Sequence, residues 1–135
     1  MNLEYKGINI FYTDLGKGDC VVLLHGFLEN CNMWGSIQPK IAKTNRFISI
    51  DLLGHGKTGC LGYIHSMELM AEAVEAVLKQ LKISSFICVG HSMGGYVALA
   101  YAEKFTNKIE GLCLMNSTVS SDDLERQKNR DRAIL

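Results

Sequence analysis

Residues 86–105 read FICVGHSMGGYVALAYAEKF. A short apolar run ends at Gly90, a serine follows at Ser92 between glycines, and an alanine-rich run comes next. The apolar run at 85–90 predicts a strand buried on both faces, and 93–105 predicts a helix carrying Ala98, Ala100 and Ala102. Gly90-His91-Ser92-Met93-Gly94 matches G-x-S-x-G. From glycine and serine content alone the pattern arises by chance roughly 8% of the time. Its context gives it weight, because it closes a predicted buried strand and opens a predicted helix. In that setting the serine occupies a tight turn in strained backbone, with its hydroxyl above the sheet and beside a helix N-terminus. Side chains at Gly90 and Gly94 would collide across the turn.

The same alternation runs outward along the chain. Residues 2–6 and 8–14 predict two strands in a hairpin at Gly7, and 16–19 a turn. CVVLLHG at 20–26 and RFISIDLLG at 46–54 predict buried strands. Between them, 34–43 is weakly helical, and Pro39 argues for a short or irregular helix. After a glycine-rich loop, 66–82 predicts the clearest helix. Met67, Met70, Val74, Val77, Leu78 and Leu81 share one face, with Glu68, Glu72, Glu75, Lys79 and Lys82 toward water. Glu75 and Lys79 form an i,i+4 pair. IEGLCLMN at 109–116 predicts a fourth buried strand. Buried strands alternating with helices give an α/β fold, a mostly parallel sheet with helices on both faces.

Composition narrows the function. The chain has 135 residues, 47% of them apolar, and 14 acidic against 14 basic side chains. One globular domain with a real core is expected. The charge balance gives no footprint for nucleic acid or an anionic membrane. None of Cys20, Cys31, Cys60, Cys88 and Cys113 forms a CxxC pair, so a zinc site is not expected. Cys20, Cys88 and Cys113 lie in apolar runs as small hydrophobes. An odd cysteine count without a secretion signal points to a reducing, cytoplasmic location. No apolar run is long enough to span a bilayer.

A serine that attacks a carbonyl needs donors for the oxygen that becomes negative. The Met93 N–H, next after Ser92, is one candidate. The loop after LLHGF at 23–27 offers the other, the Phe27 N–H. HGF, DLLGHGKT and VGHSMGGYVALAYA, in this order and spacing, resemble the α/β-hydrolase superfamily, and most closely its small, lid-bearing, esterase-like members. The resemblance runs from the opening hairpin to the start of a lid helix. It implies a serine hydrolase with Ser92 as nucleophile, Phe27 and Met93 as oxyanion donors, no cofactor, no metal and a small-molecule ester substrate. Lactonases, thioesterases, C–C bond hydrolases and cofactor-free haloperoxidases share the same motifs.

Other residues are assigned lesser roles. Gly54-His55-Gly56-Lys57-Thr58-Gly59 spells G-x-G-x-x-G, but Asp51 stands where a phosphate loop needs glycine, and no helix opens directly after it. Asp51 is expected to cap that loop, His25 and His91 to orient backbone, and His55 and His65 to lie at the surface. Met33 and Trp34 could line a pocket but are expected in the core. Asp122 and Asp123 are expected as first-turn acids of a lid helix over 121–135, following a core over 1–120.

The order of the triad in this superfamily is serine, acid, histidine. No histidine follows Ser92, and Asn116 stands where some members carry the acid. No Gly or Pro closes the last predicted helix, so the chain reads as the N-terminal part of a longer hydrolase. If 135 residues is the whole protein, a non-catalytic ligand- or partner-binding module is the competing expectation. The resemblance implies that strand 109–116 is interior in the superfamily's sheet; in this chain taken alone it becomes an apolar edge, open to self-association or to cover by the last helix.

Overall fold

The computed structural model describes residues 1–120, 124–125 and 127–129. Strands β1 (Asn2–Tyr5) and β2 (Ile8–Leu15) form an antiparallel hairpin. Its turn, Lys6-Gly7, has φ of 48° and 84°, the two-residue geometry that matches strand twist. Strands β3 (Cys20–Leu24), β4 (Arg46–Ile50), β5 (Phe86–His91) and β6 (Ile109–Met115) are parallel, and the sheet order is β1-β2-β4-β3-β5-β6. The expected mostly parallel sheet is present, with β2 joining β4 antiparallel.

Every residue of central β3 is buried, and its alternation sorts the core into two layers. Val22 and Leu24 pack with Ile48, Ile50, Val74, Leu78, Val97 and Tyr101. This is the face covered by α2 (Met67–Gln80) and α3 (Met93–Lys104). Val21 and Leu23 pack on the other face with Phe47 and Trp34. The short, irregular helix expected over 34–43 is a 3-10 turn at Cys31–Trp34 followed by one turn of helix, α1 (Gln38–Ile41). Pro39 in its first turn lacks the N–H that would extend a helix backward. Trp34 is core, as expected.

Ser66 caps α2 by accepting the Leu69 N–H at 3.2 Å. Its apolar face is the expected one: Met70, Val74, Val77 and Leu78 are buried, with Met67 and Leu81 packed at the margin. Glu75 departs from the expectation of facing water and is 4% exposed. It accepts from Tyr101 Oη at 2.5 Å and Lys108 Nζ at 2.6 Å, and Lys79 lies 3.5 Å away. An amphipathic pattern marks which face turns inward but not where a cation from the next element can neutralise a carboxylate beneath it.

The strand expected over 46–54 stops at Ile50, because Asp51 turns inward to organise the following loop. Cys113 is exposed rather than core, since β6 has no neighbour on its outer side among the described residues. All five cysteines are free. The lid helix expected over 121–135, with Asp122 and Asp123, falls largely outside the described residues. No helix of the described residues is long and apolar enough to cross a membrane.

Candidate active site

The chain runs from β3 to β4 on one side and returns with β5 on the other. The crevice at the carboxyl ends of β3 and β5 is therefore the switch point where open α/β sheets bind ligands. Two loops meet there. The first begins at His25, which is fully buried. Its Nε2 accepts the Leu52 N–H at 2.9 Å, so Nδ1 carries the proton and donates to Gly26 O at 2.7 Å. Burial lowers the pKa of this ring, and the Leu52 N–H on Nε2 fixes its tautomer. Gly26 O also accepts the Glu29 N–H at 3.2 Å. In a trans peptide the carbonyl and the following N–H point in opposite directions. Anchoring Gly26 O toward His25 thus turns the Phe27 N–H away from it. Among the described residues no protein acceptor takes the Phe27 N–H. His25 acts on backbone, as expected.

The second loop is the turn between β5 and α3. Ser92 sits there at φ 50°, ψ −114°, a region sparsely populated by residues with a side chain. The turn is held by the Ser92 N–H donating to Met115 O at 2.9 Å and the Gly95 N–H to Ser92 O at 3.0 Å. A Cβ on Gly90 would lie 2.4 Å from Gly94 O, so Gly90 lets the strand end pass across the helix start. A Cβ on Gly94 would lie 2.3 Å from Leu24 O, so that glycine lets α3 press against the end of β3 rather than against its own turn. The Ser92 hydroxyl makes no cap hydrogen bond. The Met93 N–H is the first of its helix and has no intrahelical acceptor.

The two loops touch. A Cβ on Gly26 would lie 3.3 Å from Ser92 Cβ and 3.0 Å from His91 Nδ1. The fold thus brings the loop bearing Phe27 beside the turn bearing Ser92 and Met93. Of the histidines near it, His91 and His65 are held by side-chain or backbone partners, and His55 donates Nδ1–H to Leu53 O at 3.0 Å. His91 is engaged by Glu29 at 2.9 Å and faces the Asn116 amide at 3.5 Å. His65 accepts the Leu61 N–H at 3.0 Å and packs under Gly54. His55, expected at the surface, is half-buried between His25 and Phe27, with ring centroids at 5.3 and 5.7 Å. Asp51 is 2% exposed. It accepts the Cys31 and Lys57 N–H groups at 2.7 and 2.8 Å, so the acid serves the loop, as expected.

Glu29 was not apparent from sequence. Its only signal there is a carboxylate three residues after a glycine, the spacing at which a side chain reaches back to a turn N–H. Among the described residues no three His, Cys, Asp or Glu side chains gather to hold a metal. A cavity of about 200 Å³ lies among Gly18, Arg46, Lys82, Ser84 and Glu110, at the opposite end of the strands.

The family model for the alpha/beta hydrolase fold matches residues 19–133. The chain belongs to the alpha/beta hydrolase family. It is 33% identical over 116 residues to the pimeloyl-[acyl-carrier protein] methyl ester esterase of Nitrosospira multiformis, covering 84% of this chain and 44% of that protein. Among solved structures it superposes on a thermophilic esterase from Thermogutta terrifontis with TM-score 0.87 and 32% identity, covering 97% of this chain and 49% of that one. A second structure, of an N-acyl homoserine lactone degrading enzyme, superposes with TM-score 0.84 and 32% identity, covering 87% and 45%. The chain spans less than half the length of each of these three proteins.

Proposed function

We propose that this chain carries the nucleophile and oxyanion half of a serine hydrolase acting on small carboxylic esters. Ser92 is the nucleophile in this reading, and the N–H groups of Phe27 and Met93 stabilise the oxygen that becomes negative. The supporting observation is the Ser92 backbone, held at φ 50°. A scaffold has no need of a serine in a conformation that costs about 1–3 kcal/mol. The esterases among the relatives favour an ester over the lactone of the second structure. Five free thiols fit a reducing, cytoplasmic setting. No cofactor is called for.

The chemistry needs a base that these residues do not supply. A serine hydroxyl must lose its proton as it attacks, and a histidine oriented by an acid takes it and returns it to the leaving alcohol. The histidines are His25, His55, His65 and His91, all before Ser92. This chain alone is expected to turn over p-nitrophenyl esters on the order of 10⁶-fold more slowly than a complete triad. Ser92→Ala should then change that residue of activity little. With any further residues that its reading frame encodes after Leu135, Ser92-dependent turnover should appear. Full turnover that survives Ser92→Ala overturns the nucleophile. A stop codon directly after Leu135 would favour the second reading, a non-catalytic binding module.

A further inference from the structure

One carboxylate oxygen joins the two loops of the site. Glu29 Oε2 accepts the Gly26 N–H at 2.7 Å and lies 2.9 Å from His91 Nδ1. Gly26 precedes Phe27, and His91 precedes Ser92. A carboxylate only accepts, so His91 Nδ1 bears the proton and donates. Nε2 then presents its lone pair toward the Asn116 amide, 3.5 Å away. Nδ1 is thereby committed to Glu29, and Nε2 faces Asn116 at the outer limit of a hydrogen bond.

The peptide units on both sides of Gly26 are thereby fixed. Glu29 holds the N–H of one. His25 and the Glu29 N–H hold the carbonyl of the other, and with it the direction of the Phe27 N–H. A Cβ on Gly26 would meet Glu29 Oε2 at 2.5 Å and so would displace that carboxylate from the Gly26 N–H. His91 and Glu29 side chains are 21% and 36% exposed, and a pair so open to water contributes little to global stability. Its consequence is geometric.

We propose that Glu29 is a positioning residue for the oxyanion donors: by tying the Gly26 loop to His91, it sets the spacing between the Phe27 and Met93 N–H groups. The proposal rests on the assignment of those groups as donors. An oxyanion hole works only when both donors reach one oxygen at about 2.7–3.1 Å. Small displacements of one loop relative to the other therefore matter for binding an oxyanion while leaving the fold intact.

The test is NMR on the ¹⁵N-labelled chain, with sodium acetate as an oxyanion probe and sodium chloride as the ionic-strength control. In the wild type, acetate shifts the Phe27 and Met93 amides together, with one Kd, and His91 shows the Nδ1–H tautomer. In Glu29→Ala, Gly26 amide exchange rises about tenfold, the His91 tautomer preference is lost, and the acetate Kd weakens several-fold while the melting temperature holds. Glu29→Gln keeps one acceptor oxygen and falls between. Wild-type acetate binding in Glu29→Ala overturns the role of Glu29. So does a loss of binding that tracks a falling melting temperature and is not restored in part by Glu29→Gln. A wild type whose Phe27 and Met93 amides ignore acetate, or respond with unrelated Kd values, overturns the donor assignment itself and this proposal with it.

Discussion

At the scale of single residues, the site is built from backbone forced into place. Ser92 bears the positive φ itself, while Gly90 and Gly94 give the clearance on either side. A strained residue retained for chemistry should be improvable for stability. Ser92→Gly removes the conformational penalty, partly offset by the greater unfolded-state entropy of glycine. We expect a gain of about 1 kcal/mol, read as a raised midpoint in urea with an unchanged slope. A loss of stability would mean that the hydroxyl makes a contact worth more than the strain. This part of the site was legible in the sequence, because G-x-S-x-G between a strand and a helix encodes local geometry. The tautomer of His25 and the reach of Glu29 were not legible, since both depend on where β4 and β5 lie relative to β3.

At the scale of elements, two features follow from the ends of the sheet. Glu75 on α2 ties that helix to α3 through Tyr101 and to the turn before β6 through Lys108. Burial raises its pKa, but the hydrogen bonds and charges of Lys108, Tyr101 and Lys79 outweigh that and hold it below the ordinary 4.5. A carboxyl depressed in the folded state contributes stability that is complete above its unfolded value. That contribution is lost as pH falls through the folded one. Stability should therefore decline below about pH 4.5, and Glu75→Gln should flatten that part of the profile, as measured by urea midpoints across pH. A mutant profile parallel to the wild type would remove Glu75 from the account.

The outer edge of β6 is the second feature. Leu112 and Met115 on this strand are 39% and 41% exposed, and Val119 after it is 75% exposed. A flat apolar edge with free N–H and C=O groups is a template for another strand. We propose that isolated chains associate through 109–116. Light scattering over a dilution series should show mass rising with concentration, and Cys113→Lys should suppress it. A monomer at every concentration, with fast amide exchange along 109–116, contradicts the proposal.

At the scale of the molecule, the chain is a parallel α/β core whose switch point carries Ser92. The succession of buried strands and helices and the apolar face of α2 could be anticipated, because runs such as CVVLL and the i, i+3, i+4 spacing of α2 respond to burial in ways that periodicity records. Residues 34–43 form the short, irregular helix that Pro39 announces. Glu75 and Cys113 misled because burial at these positions depends on neighbours far away in sequence.

The most direct test of the central claim, that Ser92 and the N–H groups of Phe27 and Met93 form one reactive centre, is a crystal structure of the chain soaked in phenylboronic acid. The account predicts a tetrahedral boronate bonded to Ser92 Oγ, with one boronate oxygen within about 3 Å of both nitrogens. Boronate bonded at Ser92 with that oxygen turned to solvent, or Ser92 unmodified while another residue takes the probe, would contradict it.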